Sequence, residues 1–122
     1  MKIQVWDYKK EYEIHQKDIL RLVDEVFRSG RLVLGESVCE FEQAFSAYCD
    51  SNYGVGVNSG TDALLLGLKA LGIGDGDEVI TVANTAVPTV SAIMSSGGVP
   101  RFVDVKPGTY LMNADQLEQA LT

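Results

Sequence analysis

The strongest constraint on the fold is an alternation of short apolar runs with helix-patterned stretches after residue 51. Tyr53-Gly54-Val55-Gly56-Val57 is too apolar for a strand with one wet face, so a buried strand is expected there. Asn58-Ser59-Gly60-Thr61 then turns the chain into a helix over Ala63-Leu64-Leu65-Leu66-Gly67-Leu68-Lys69-Ala70-Leu71. Gly72 to Asp77 is a glycine-rich exit into a second strand, Glu78-Val79-Ile80-Thr81-Val82. The unit repeats, with a helix near Pro88 to Ser96 and a strand at Arg101-Phe102-Val103-Asp104-Val105. Right-handed crossovers place such strands parallel in one sheet, so the predicted fold class is α/β, a mostly parallel sheet flanked by helices.

Two helices precede this alternation. Between His15 and Ser29, Ile19, Leu20, Leu22, Val23, Val26 and Phe27 recur at helical spacing, and Gly30 follows where a left-handed terminal residue is expected. Arg31-Leu32-Val33-Leu34-Gly35 is a short link. Ser37 and Glu40 then form a capping box ahead of Phe41, Phe45 and Tyr48, which predicts a second helix to about Asp50 with those aromatics in the core. Asn113, with Gln116 three residues on, starts a last helix that is still amphipathic at Thr122. No further strand completes the alternation, so an interrupted domain is expected.

Composition bounds the function. The chain has 122 residues, 46% of them hydrophobic, enough for one core. Gly, Ser or charged residues break every apolar stretch well short of the ~20 residues that span a bilayer. Met1 to Asp7 has a single early lysine and no apolar segment ending at a small-residue cleavage site, so export is not expected and a cytoplasmic location is. With 10 Lys+Arg against 17 Asp+Glu the net charge is -7, which disfavours a nucleic-acid partner. Cys39 and Cys49 sit ten apart within one predicted helix, roughly 15 Å along its axis, too far for a bridge or a shared metal. Reduced thiols fit that spacing. His15 has no Cys or second His nearby, so it reads as a helix-surface residue and no metal site is expected.

The most informative stretch is Gly56-Val57-Asn58-Ser59-Gly60-Thr61-Asp62-Ala63-Leu64, where a predicted strand ends and a helix begins. The first turn of a helix carries N–H groups without intrahelical partners and a partial positive charge. Gly60 lets an oxyanion approach that backbone without a Cβ in the way, and Thr61 adds a hydroxyl. The plainer reading is that Ser59 or Thr61 caps the helix and Gly60 serves the turn, with no ligand. Asp62 would repel a phosphate if it faced the site, so its side chain is expected to turn away into neighbouring backbone. Gly54-x-Gly56-x-x-Ser59 resembles a dinucleotide fingerprint, but the third glycine is missing and both glycines lie within the predicted strand. Asp75-Gly76-Asp77-Glu78 lacks the alternating ligands and distal glutamate of a calcium loop, and reads as a helix-to-strand turn.

These residues fall in an order that resembles a known family. Ser29-Gly30-Arg31-Leu32-Val33-Leu34-Gly35 is similar to an early segment of the DegT/DnrJ/StrS aminotransferases. Phe41-Glu42 with Tyr48 downstream, the Gly56 to Leu64 stretch, Gly74-Asp75-Gly76-Asp77-Glu78-Val79-Ile80 and Phe102-Val103-Asp104-Val105 follow in the family's order. The resemblance implies the N-terminal part of a fold-type I aminotransferase large domain. Residues 1–122 would be one incomplete domain, with 1–50 an N-terminal helical segment and 51–122 the start of the domain that binds pyridoxal 5'-phosphate. It implies transfer of an amino group, usually from glutamate, to a keto sugar attached to a nucleotide, and a homodimer when complete. Gly60 and Thr61 then look like contacts to the cofactor phosphate, Gly35 lies in a loop near the sugar substrate, and Ala86 occupies the position where many members set an aromatic residue against the cofactor ring. Asn84 and Thr85 are candidates to line the same pocket.

The chain departs from the family pattern in two ways. Ala86 gives up aromatic stacking area. Catalysis also needs a lysine to hold the cofactor covalently and a carboxylate to pair with its pyridine nitrogen, and in the family both come later. Lys2, Lys9, Lys10, Lys17, Lys69 and Lys106 do not stand in the matching context, and Asp104, before the Lys106-Pro107-Gly108 turn, reads as structural. No catalytic residue is therefore assigned, and the chain by itself is expected to be inactive. Two other readings stay open: a dehydratase-like relative in which another residue replaces the lysine, and a non-catalytic interaction or regulatory module using the Phe41, Phe45 and Tyr48 face.

Overall fold

A computed structural model describes residues 5–121. Met1 to Gln4, which include Lys2 and most of the segment read for export, and Thr122 lie outside the described residues. The chain divides between Gly56 and Val57 into two compact units.

The first unit is helical. α1 spans Tyr8–Ser29, seven residues more than its apolar periodicity predicts at the start, because the Asp7 carboxylate accepts the Lys10 N–H at 3.3 Å and caps the helix there. Exposed pairs at helical spacing, such as Arg28 with Asp24 at 2.6 Å and Arg21 with Glu25 at 2.8 Å, lie along its surface. Gly30 ends it in the left-handed region, φ 68°, with its N–H on the Phe27 carbonyl. α2 spans Glu36–Tyr48 and starts one residue before the predicted cap. Its N-cap is Gly35, so the Ser37–Glu40 capping box does not form. Phe41 stacks on Phe45 and Phe45 meets Tyr48 at a tilt along α2, but the three are 62%, 53% and 87% exposed, against their expected burial. Cys39 lies on α2 and Cys49 caps it; both are exposed and free.

The second unit carries the α/β layers. α3 spans Gly60–Ala70, β1 Glu78–Val82, α4 Val87–Ser96 and β2 Val99–Val103. β1 and β2 pair in parallel, Glu78 opposite Val99 through Val82 opposite Val103. β1 and α4 lie within a residue of prediction. β2 begins two residues earlier than predicted because the Val99 N–H already reaches the Asp77 carbonyl at 2.8 Å. Val105 instead makes an antiparallel bridge to Met112. The predicted buried strand at 53–57 is absent: Tyr53 and Val55 are 86% and 80% exposed, and among the described residues no strand pairs with this segment. A strand exists by pairing, so an apolar run alone does not make one.

α4 lies on β2 and α3 runs along α4. The buried apolar residues among those described are Ala92, Ile93 and Val103, joined by Thr81 and Ser96. The Ser96 hydroxyl donates to the Ile93 carbonyl at 2.7 Å, so it is buried without a polar debt. Asn113 caps a short 3-10 turn, Ala114–Gln116, that leads into α5, Leu117–Ala120. Gln116 does not close a capping box; its side-chain oxygen accepts the Asp104 N–H at 2.8 Å instead. Asp104 also accepts from the Asn113 N–H, so its backbone ties β2's exit to the last turn.

Candidate functional site

The turn from Asn58 into α3 is built by Ser59. Its backbone is extended, φ -158° and ψ 165°, its hydroxyl accepts the Asp62 N–H at 3.1 Å, and its carbonyl accepts the Ala63 N–H at 3.0 Å. This is an ordinary serine cap, as the plainer reading expects. It leaves two donors over. Among the described residues, the N–H groups of Gly60 and Thr61 have no partner, and neither does the Thr61 hydroxyl. A Cβ built on Gly60 would meet nothing within 4 Å, so the approach to those N–H groups is open.

What that arrangement can do chemically is receive an anion. Two adjacent backbone donors, a hydroxyl and the positive end of an eleven-residue helix suit a phosphate oxyanion and satisfy no other group nearby. Asp62 is half-buried. Among the described residues its carboxylate takes no hydrogen bond.

Ala86 caps α4 directly after the carboxyl end of β1, with φ -73° and ψ 148° and its carbonyl accepting the Thr89 N–H at 3.0 Å. Asn84, Thr85 and Ala86 are exposed. Sequence reasoning missed Thr89, whose hydroxyl lies 2.8 Å from that of Thr85; the only signal is their spacing of four across a helix start. α3 and α4 each end in a short turn that feeds the amino end of a parallel strand, β1 and β2 respectively. Both helix starts, with Gly60, Thr61 and Ala86, therefore face the carboxyl side of the sheet, where ligands of open α/β sheets collect. Gly35 belongs to the other unit, where it is buried at the start of α2.

Residues 13–122 match the DegT/DnrJ/EryC1/StrS aminotransferase family. The chain belongs to that family. It is 48% identical over its whole length to a dTDP-3-amino-3,4,6-trideoxy-alpha-D-glucose transaminase of Micromonospora megalomicea subsp. nigra, of which it covers 33%. Among solved structures it resembles S. venezuelae DesV in complex with a ketimine intermediate, with TM-score 0.91, 38% identity, 95% of this chain and 31% of that one. It also resembles the ntda protein of Bacillus subtilis with bound cofactor PMP, with TM-score 0.86, 41% identity, 88% of this chain and 25% of that one. The fold class is thus that of part of a fold-type I aminotransferase large domain. The chain spans about a third of the length of the relatives it matches.

Proposed function

We propose that this chain is a portion of a pyridoxal-phosphate-dependent transaminase that moves an amino group from glutamate onto a nucleotide-linked keto sugar, and that the chain alone does not turn over. The observation that carries the reading is the pair of unpartnered N–H groups on Gly60 and Thr61 before an open face. They fit the phosphate of the cofactor. In this reading Gly60 and Thr61 grip the phosphate through backbone N–H groups and the Thr61 hydroxyl, and that grip orients the cofactor. Ala86 would meet the cofactor ring, its methyl group offering less contact area than an aromatic side chain. Gly35 belongs to the loop that meets the sugar. The cofactor, when bound, supplies the electron sink for amino transfer. The complete protein is a cytoplasmic homodimer that binds a nucleotide sugar and an amino-acid donor, with neither nucleic acid nor membrane as partner. On the last point, no helix among the described residues is long and apolar enough to cross a membrane.

The test is direct. Residues 1–122, incubated with pyridoxal phosphate, glutamate and a nucleotide-linked keto sugar, should release no 2-oxoglutarate. A reading frame continued past codon 122 should encode a cofactor-binding lysine and a carboxylate for the pyridine nitrogen, and its product should release 2-oxoglutarate. Turnover by residues 1–122, or a longer product without that lysine, contradicts the proposal.

A further inference from the structure

Asn84, Thr85 and Ala86, the residues read as lining the cofactor pocket, are exposed and lie between the end of β1 at Val82 and the start of α4 at Val87. Among the described residues they make two hydrogen bonds, and both end on Thr89. The Thr89 N–H donates to the Ala86 carbonyl at 3.0 Å, and the Thr89 and Thr85 hydroxyls share a hydrogen bond at 2.8 Å. These bonds bracket Ala86, one holding its own carbonyl and the other the residue before it. Thr89 is half-buried in the first turn of α4, and that helix is anchored further along by Ala92, Ile93 and Ser96, which are buried.

A helix start supplies the backbone bond whatever side chain stands at position 89, but the second bond needs a hydroxyl there. Pro88, between them, has no N–H to add. Without the hydroxyl pair, Thr85 is joined to the rest of the unit by its peptide bonds alone. We propose that Thr89 is a positioning residue for Ala86, fixing through its N–H and its hydroxyl where the Ala86 methyl group stands at the carboxyl end of β1. The proposal rests on the reading that Ala86 meets the cofactor ring. A methyl group offers few atoms for contact, and dispersion falls steeply with distance, so its contribution depends on where the backbone holds it. Thr89 touches no ligand and moves no proton.

The experiment uses the full-length protein in its cofactor-free form. Affinities for pyridoxal and for pyridoxal phosphate, and the thermal midpoint, are measured in wild type, Thr89→Val, Thr89→Ser, Ala86→Gly and the Thr89→Val, Ala86→Gly double variant. Ala86→Gly removes one methyl group from the ring contact and should weaken both ligands about fourfold. Thr89→Val removes the hydroxyl at nearly constant shape and should weaken both about two- to fourfold, since it can lose no more than Ala86 supplies. Equal loss for the two ligands marks the ring, because a change at the Gly60–Thr61 turn would reach pyridoxal phosphate alone. Thr89→Ser keeps the hydroxyl and should bind both as wild type does. In the double variant the two losses should not multiply, as expected of residues that act through one contact. Thr89→Ala lacks the same hydroxyl on a better helix former, and serves if the valine variant does not fold. Unchanged pyridoxal affinity in Thr89→Val, whatever its thermal midpoint, or losses that multiply in the double variant, would make Thr89 a structural cap and overturn the proposal. Failure of the underlying ring reading looks different: Ala86→Gly alone would leave pyridoxal affinity as in wild type.

Discussion

Gly35 and Gly60 are glycines for opposite reasons. A Cβ on Gly35 would stand 2.7 Å from the Arg31 carbonyl oxygen, a backbone atom with little room to give, whereas one on Gly60 would enter open space. Gly35→Ala should therefore destabilise the fold by on the order of 1–3 kcal/mol, the usual cost of overpacking, read as a lower midpoint in urea with an unchanged slope. Gly60 is spared that cost, so its openness is available to a ligand. At this scale the sequence revealed the serine cap, the left-handed Gly30 and the open approach at Gly60, because each depends on neighbours within four residues. It did not reveal that the Glu42 carboxylate accepts the Gly56 N–H, since nothing local relates positions 42 and 56. The pairing of Gln116 with Asp104 was hidden for the same reason.

Among the elements, the helices and β1 were the legible part. Periodicity of 3.6 and bounding glycines located α1, α3 and α4, while the strand at 53–57 was misread because apolar composition reports burial and pairing reports strand. β2 was displaced by two residues, its start being fixed by the bond from Val99 to Asp77 and not by any residue preference. The crossing from α4 to β2 depends on Gly97, at φ 96°, where a Cβ would also fall 2.6 Å from Asp75 Oδ1. Strain and clash act together there. Gly97→Ala should cost more than about 1–2 kcal/mol, the ordinary penalty for a left-handed alanine, and should lower the thermal midpoint of the full-length protein further than Gly30→Ala, where the Cβ would meet nothing within 4 Å.

For the molecule as a whole, membership of the aminotransferase family and the α/β class were both foreshadowed in residues 29–105, while what covers the apolar faces was not. Ile19, Leu22, Phe41, Phe45 and Tyr53 are all exposed, although their spacing marks them for a core. The chain spans about a third of the length of the relatives it matches. The central functional claim is that the Gly60–Thr61 N–H groups hold the phosphate of the cofactor. It is tested most directly by measuring the affinity of the cofactor-free full-length protein for pyridoxal phosphate and for pyridoxal, in wild type and in Gly60→Val. The account predicts a loss of at least about tenfold for pyridoxal phosphate, with pyridoxal binding and the thermal midpoint nearly unchanged, because the added side chain fills only the open approach. Equal affinity of wild type and Gly60→Val for pyridoxal phosphate, in a variant that folds normally, would contradict it.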